Sequence, residues 1–547
     1  MIIGIDVGGT HADAVLLDGD MVVAKDKVCV QGRHLSEVII SLLEGLVSPE
    51  SRGSLKRIHL SSTLCTNAIV TGSLDPVGML VQAGPGMNPD FFSKSCPTWF
   101  LDGVIDHRGH ILRDPDPAKI ADAANTLHRE GISSIGIACK FSHRNNLHEK
   151  QIAGQLAGRF RHITMGHRIS GLPNFPRRVY STWLNAALAS RFNAFKAALE
   201  QGIKHLGITC PCHVLKADGG TMPFSRASEF PCESIHSGPS ASVMGCLALS
   251  AQADDAILLD IGGTTTDIAL LVDGAPLLEP YGTLIAGRPT LIRALKTVSI
   301  GLGGDSRVTW QDGAFHIGPE HQGISMAAGG TAPTPTDAMV VLGKLAIGSR
   351  QKAAMAMLAL CPQEPPDYTA SLLLEAFVER IRQAVEELIE EVFSRPVYTV
   401  AALLHRRRIQ PKQIVAIGGP AEALQSFIQE ALFLPCIVPA NYEVANALGA
   451  ARARLTFQAT LYADTGDKRL SIPEISCLET ITPHFTMTDA ETRLQTAIAG
   501  MVSEMGMPSC PEIDFLERLE MNCVRGFKTA GKILTLKAQI RPGLTSI

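Results

Sequence analysis

The sequence predicts an α/β protein: two similar lobes facing each other across a cleft, followed by a small α+β unit at the C-terminal end. Three observations lead there. One short pattern is written twice, as Asp6-Val-Gly8-Gly9-Thr10-His-Ala-Asp13 and as Asp260-Ile-Gly262-Gly263-Thr264-Thr265-Thr266-Asp267, with the same Asp-to-Asp spacing. Both copies sit in the same frame. An apolar run precedes each (Met1 to Ile5, Ala256 to Leu259), and a second apolar run ending in an Asp-Gly turn follows (Ala14 to Leu17, Ile268 to Val272). Strand, glycine turn, strand and tight hairpin are thus repeated. Finally, the texture changes after Thr456, where a loop, a helix at Asp489 to Met505 and a strand-like end at Asn522 to Ile540 follow.

The elements follow in order. The first lobe opens with the Met1 strand, then a helix at Leu35 to Leu46 with apolar residues at helical spacing. Ile58 to Ala68 reads as a strand running into a polar turn, and Val77 to Val81 as the next strand. Pro85 to Pro117, rich in Pro, Gly and Asp, reads as loop and short hairpins. A helix at Ala118 to Glu130, a buried strand at Ser134 to Cys139, a helix at Leu147 to Phe160 and a long helix at Tyr180 to Leu206 come next. Val214 to Gly220 is a strand ending in a glycine turn, and Ser237-Gly238-Pro239 opens a helix reaching Leu249. That helix is lined by Ala241, Ser242, Gly245 and Ala248. A late helix, Glu443 to Arg454, carries Ala445, Ala447, Gly449, Ala450 and Ala451. Such small-residue helices can cross closely and form a hinge. The second lobe also holds the loop Gly301 to Ser306, a long helix at Tyr368 to Phe393, and a strand at Gln413 to Ile417 ending in Gly418-Gly419-Pro420.

The repeated pattern has a physical use. Its glycines let backbone N–H groups approach a phosphate, its threonines add hydroxyl donors, and its leading aspartate ends a buried strand where it can hold Mg²⁺. Phosphoryl transfer needs little beyond such positioning and charge neutralisation. A plain hairpin turn would account for one copy, but not for two with matched flanks.

The chain has 547 residues, 46% of them apolar and 19% charged, with a net charge of −4. It is long enough for two or more domains, and its charge points to neither nucleic acid nor an anionic membrane as partner. The basic run at 405–408 reads as a solvated helix end. The thirteen cysteines include no C-x-x-C pair, and Cys210-Pro-Cys212 is poorly spaced for zinc, so they read as reduced thiols. No apolar run reaches membrane length and no leader precedes the first strand, so a cytoplasmic location is expected. Gly526 to Lys532 has Walker A spacing, but Ile533 replaces the metal-binding hydroxyl and a strand pattern follows.

The twin hairpins, the Gly-Gly-Pro turn and the small-residue helices resemble the actin, sugar-kinase and heat-shock-chaperone superfamily. Within it, the chain resembles the ATP-dependent hydantoinase/oxoprolinase A-type family over about residues 1 to 455. Four stretches carry that likeness: Ser62 to Ala68, Glu233 to Pro239, Gly303 to Ser306 and Gly329 to Ala338, with Asp312 to Pro319 between the last two. There are departures. Gly303-Gly304-Asp305-Ser306 stands where the family has Gly-Gly-Gly-Ser. Gly323 to Ala328 lacks the usual Pro-Gly-Pro. The tail after about 456 is shorter than, and unlike, the typical one. These bear on substrate and partner, not on the nucleotide site.

The resemblance implies two ribonuclease-H-like lobes of the actin-like ATPase fold around a nucleotide cleft. Residues 1–240 would form the first lobe with insertions, 241–455 the second, its last helix returning to the hinge, and 456–547 an appendage. It implies ATP and Mg²⁺. Asp6 and Asp260 would organise the metal and, with Asp267, the chemistry. Gly8, Gly9, Thr10, Asp13, Gly262, Gly263, Thr264 and Thr265 would hold the phosphates. Gly303, Gly304, Gly418, Gly419 and Pro420 would flank the nucleoside, and Thr63, Asn67, His236, Asp305 and Asp337 the substrate. The implied reaction is ATP-dependent ring opening of a small cyclic amide, such as 5-oxoproline or a hydantoin, through phosphorylation of a carbonyl oxygen. The alternatives are a ketone-carboxylase subunit, a small-molecule kinase, or a non-enzymatic ATP-binding assembly or activator protein. The expected partners are the cyclic amide or ketone and a second, B-type subunit, with a homo-oligomer also admitted.

Overall fold

In this computed structural model the described residues are 1–9, 11–30, 32–88, 97–250, 254–394, 409–507 and 509–545. Thr10 and the basic run at 405–408 lie outside them.

The first lobe begins as an antiparallel meander of β1 (Ile2–Val7), β2 (His11–Asp18) and β3 (Met21–Cys29). β1 is buried throughout, as a central strand covered on both faces must be. Helix α1 (Leu35–Leu46) buries one stripe, Val38, Ile39, Leu42, Leu43 and Leu46, and delivers β4 (Arg57–Ser62) parallel to β1. β4 runs into α2 (Leu64–Val70), where the sequence reads as a polar turn.

An insertion follows, a parallel sheet of β5 (Val77–Gln82), β6 (Thr98–Phe100), β7 (Ser134–Cys139) and β8 (His162–Met165) in the order β8-β7-β5-β6. Helix α3 (Phe175–His205) then returns the chain to the first sheet. There β9 (Cys212–Leu215) and β10 (Thr221–Pro223) complete the order β10-β9-β4-β1-β2-β3.

After α4 (Ser237–Leu249) the second lobe repeats this plan. β11 (Ala256–Ile261) and β12 (Thr266–Val272) are antiparallel, with β13 (Ala275–Pro276) and β14 (Thr297–Ile300) on β12. Helices α5 (Pro335–Val341) and α6 (Pro366–Ser394) precede β15 (Gln413–Ile417), which lies parallel to β11. Helix α7 (Ala421–Leu432) leads to β16 (Cys436–Ile437), parallel to β15. Each lobe therefore has an antiparallel hairpin beside three parallel strands, β1-β4-β9 in one and β11-β15-β16 in the other. This is the paired-lobe fold the sequence predicts.

Helix α8 (Ala445–Arg452) ends the second lobe but packs on the first, its Ala447, Leu448 and Ala451 against Ile2, Val15 and Leu17. Helix α4 does the converse, its Val243 and Cys246 against Ala256, Leu258 and Val415. The two helices touch backbone to backbone. A Cβ on Gly245 would lie 2.3 Å from Ala445 O, and one on Gly449 2.4 Å from Ala241 O. This is the small-residue crossing the sequence suggests.

The C-terminal unit is a sheet of β17 (Gln458–Asp464), β18 (Arg469–Ile472), β19 (Cys477–Thr480), β20 (Ile513–Arg525) and β21 (Lys528–Ile540), covered by α9 (Met487–Glu504). The Walker-like residues lie at the β20–β21 turn and in β21, so they are strand, not phosphate loop. The unit is joined to the insertion by buried polar contacts. The Glu474 carboxylate accepts from Gly171 N at 2.9 Å and Thr460 N at 3.1 Å, and the Tyr462 hydroxyl donates to Gly171 O at 2.8 Å. Glu149 and His167 are both buried, with Nδ1 2.6 Å from the carboxylate, and His167 Nε2 lies 2.8 Å from Ser476 Oγ. Among the described residues no helix is long and apolar enough to cross a membrane, and Cys210 and Cys212 are free thiols.

Candidate nucleotide site

The two glycine patterns fold into the same turn. Gly8 N–H donates to His11 O at 3.0 Å, and Gly262 N–H to Thr265 O at 2.9 Å. Asp6 pairs across the strands with Asp13, and Asp260 with Asp267. The antiparallel register makes this inevitable, since seven residues of spacing around a tight turn bring the two aspartates opposite each other.

The aspartates of the two hairpins lie close enough for their charges to interact. Burial pushes the Asp6 carboxyl up to about 7, and the charges of Asp13 in its own lobe and Asp260 in the other add to the rise. Asp260 is raised by burial, with Asp13 adding. Asp267 is pushed up to about 6 by burial and by Asp260, against a hydrogen bond from Ser299. Asp13 forms a 3.0 Å ion pair with Lys27.

Two residues that the sequence reading treats only as parts of small-residue helices belong to this site. Ser242 of α4 donates to Asp260 Oδ2 at 2.5 Å. Asn446 of α8 donates to the same oxygen from Nδ2 at 3.3 Å, and its side chain also reaches Asp6, where it offsets part of the rise. The only signal for them in the sequence is a polar residue inside each alanine- and glycine-rich helix.

The second hairpin is braced from two sides. Gly304 N donates to Gly262 O at 2.9 Å and Asp305 N to Gly263 O at 2.7 Å, which lays the Gly301 to Ser306 loop along it. Gly418, at φ +92°, ends β15 beside Asp260, and a Cβ there would lie 2.7 Å from Asp260 Oδ1 and 2.3 Å from Ile261 O. Pro420 lies against Gly304. Gly303, Gly304 and Gly418 therefore border the second hairpin, with Pro420 against Gly304.

The five residues placed on the substrate side do not stay together. Thr63 N donates to Val7 O at 3.3 Å beside the first hairpin, and Thr63 Oγ1 accepts from Asn67 Nδ2 at 3.1 Å. His236 N donates to Thr66 Oγ1 at 3.1 Å, so α2 and the start of α4 meet there. His236 takes the left-handed conformation at φ 61°, and burial lowers its imidazole. Asp305 instead belongs to the second hairpin: a Cβ on Gly263 would lie 2.9 Å from its Oδ2. Asp337 is fully buried in a capping box at the start of α5. Its carboxylate accepts from Met326 N, Ala327 N, Thr334 N and Thr334 Oγ1. That removes it from the substrate group, because four donors already fill its oxygens.

The description Hydantoinase/oxoprolinase matches residues 178–459, and Hydantoinase/oxoprolinase N-terminal region matches residues 2–158. The chain belongs to the hydantoinase/oxoprolinase family. It is 28% identical to 5-oxoprolinase of Saccharomyces cerevisiae over 47% of this chain and 20% of that protein. It is 24% identical to caprolactamase subunit alpha of Pseudomonas jessenii over 77% and 65%. The chain thus spans between a fifth and about two thirds of these relatives' length. The solved ATP-dependent caprolactamase of Pseudomonas jessenii shares the fold at a TM-score of 0.74 and 19% identity, over 100% of this chain and 88% of that one. Nucleotide-free acetone carboxylase does so at 0.68 and 16%, with the same coverage. Both likenesses extend over the C-terminal unit, so the tail that reads as divergent in sequence shares its fold with these two proteins.

Among the described residues no three His, Cys, Asp or Glu side chains gather as a metal site. Asp6 and Asp260 nonetheless suit a cation shared with phosphate oxygens. Asp6 is buried and Asp260 half-buried, and the charged form of each is disfavoured by desolvation and by neighbouring acids, which a divalent ion would relieve.

Proposed function

We propose that this chain is the ATP-binding subunit of an enzyme that opens a small cyclic amide. The observation that carries the reading is the pairing of two hairpins of identical register, one per lobe, whose leading aspartates share Asn446. The family and its lactam-hydrolysing relatives support the substrate class.

In this reading the backbone amides of Gly8, Gly9, Gly262 and Gly263, with the hydroxyls of Thr10, Thr264 and Thr265, take the phosphates. The loop at Gly303-Gly304 and the turn Gly418-Gly419-Pro420 take the nucleoside. Asp6 and Asp260 hold Mg²⁺, which supplies neutralisation of phosphate charge. The amide oxygen attacks the terminal phosphorus and ADP leaves. Water then adds to the O-phosphorylated amide carbon, the C–N bond breaks as the nitrogen takes up a proton, and a second water hydrolyses the resulting acyl phosphate to carboxylate and phosphate. Asp267 is half-buried and raised toward neutrality, as suits a group that orients or deprotonates the first water. Thr63, Asn67 and His236 line the substrate side. Because relatives are named as subunits, a second subunit completes the hydrolytic half.

The test is phosphate release from ATP with a panel of lactams and hydantoins, with and without a B-type subunit supplied from a relative's enzyme, and with product analysis. Stimulated release with formation of the ring-opened amino acid is expected. A stable phosphorylated product, stimulation only by ketone plus bicarbonate, or turnover indifferent to every small molecule would each overturn the reading.

A further inference from the structure

Asn446 sits where no motif points, yet it touches both halves of the site. Its helix, α8, follows the second lobe in the chain and packs on the first. Its Nδ2 donates to Asp260 Oδ2 at 3.3 Å, and its side chain also reaches Asp6. Asp260 is further held by Ser242 from α4, the helix that α8 crosses. The crossing itself has no slack, since Gly245 and Gly449 meet the opposite backbone at distances no Cβ would tolerate. An amide carried on this rigid crossing therefore has a fixed position relative to both strand ends.

Resting on the ATP-binding reading above, we propose that Asn446 is a positioning residue that sets the separation of Asp6 and Asp260, so that one magnesium-bound triphosphate engages both lobes. An amide donor fixed on the crossing holds the Asp260 carboxylate in place relative to the strand that carries Asp6. Asn446 touches no phosphate in this scheme. It acts through the two aspartates, so it governs how much the metal adds to nucleotide binding, not nucleoside recognition.

The experiment is calorimetric titration of the full chain with ADP and a non-hydrolysable ATP analogue, with Mg²⁺ and with EDTA. Wild type, Asn446→Ala and Asn446→Ser are compared, with Ser242→Ala as a variant that leaves the Asp6 contact in place. Alanine suits a helix, and serine keeps a small polar group should alanine disturb the crossing. Both Asn446 variants should bind the nucleotide in EDTA as wild type does. Their gain in affinity on adding Mg²⁺ should fall about tenfold, the scale of one lost charge-assisted hydrogen bond. Ser242→Ala should lose less. A full Mg²⁺ gain in either folded Asn446 variant overturns the proposal, as does an equal loss of affinity with and without the metal. Failure of wild type to bind any nucleotide would instead overturn the ATP-binding reading, so the two failures are distinguishable.

Discussion

The two glycine hairpins share register, turn and paired aspartates, yet their surroundings differ. The second is laid against the Gly301 to Ser306 loop and capped by Gly418, and its Asp260 receives hydrogen bonds from both crossing helices. The matching positions of the two turns differ: among the described residues nothing lies within 4 Å of a Cβ placed on Gly9, whereas one on Gly263 would lie 2.9 Å from Asp305 Oδ2. Gly263 is packed by a neighbouring loop of its lobe, and Gly9 is open.

The largest effect should come from the aspartates themselves. Asp260→Asn and Asp6→Asn should each lower ATP turnover about a thousandfold or more while the fold persists, since each removes a charge the metal needs. Circular dichroism and a phosphate-release assay check this. Full turnover in Asp260→Asn would remove the second hairpin from the mechanism.

Next comes the bracing. Gly418→Ala places a methyl group at φ +92° against Ile261 O and Asp260 Oδ1. A loss of about 2–4 kcal/mol in denaturant unfolding, with weakened nucleotide binding, is expected. An unchanged midpoint would show that the turn after β15 is not a rigid wall of the site.

The hairpins were legible because their signal is local: apolar run, glycines, Asp-Gly turn. The crossing helices were legible from their small residues. What was not legible depended on partners distant in the chain. α2 reads as a polar turn because Thr66 and Asn67 look like turn residues. In the fold Cys65 and Ala68 are buried and Thr66 accepts from His236 N, which the local sequence does not encode. Asp337 looked like a site acid, but its oxygens are used by the Met326–Ala327 backbone of a neighbouring loop. Asn446 and Ser242 carry no motif, and only the packing of α4 on one lobe and α8 on the other brings them to the aspartates. The tail looked foreign, although its sheet is tied to the insertion by Glu474 and Tyr462.

The carboxyl in the first hairpin also gives a pH signature. Asp6 rises from an ordinary 3.8 to about 7 in the folded chain. Between those values the folded protein keeps a proton that the unfolded chain releases. Stability from this group is therefore full below about pH 4 and is lost as pH rises through 7. In EDTA, Asp6→Asn should be about 1–3 kcal/mol more stable than wild type at pH 7.5, with the difference vanishing near pH 4. A constant difference across that range would mean that burial of Asp6 is relieved in the metal-free state.

The smallest effect discriminates most directly between the hairpins. Gly9 and Gly263 occupy the same place in the two turns, and neither has a positive φ. An added methyl at Gly9 meets nothing, whereas at Gly263 it would lie 2.9 Å from Asp305 Oδ2, and Asp305 is tied to the same turn through its own N–H. Gly9→Ala should therefore leave unfolding stability within about 0.5 kcal/mol of wild type, and Gly263→Ala should cost about 1–2 kcal/mol. If the two cost the same, the loop at Asp305 gives way freely and the second hairpin is no more braced than the first. If Gly9→Ala spares stability but weakens nucleotide binding, Gly9 is a ligand contact and not a packing position.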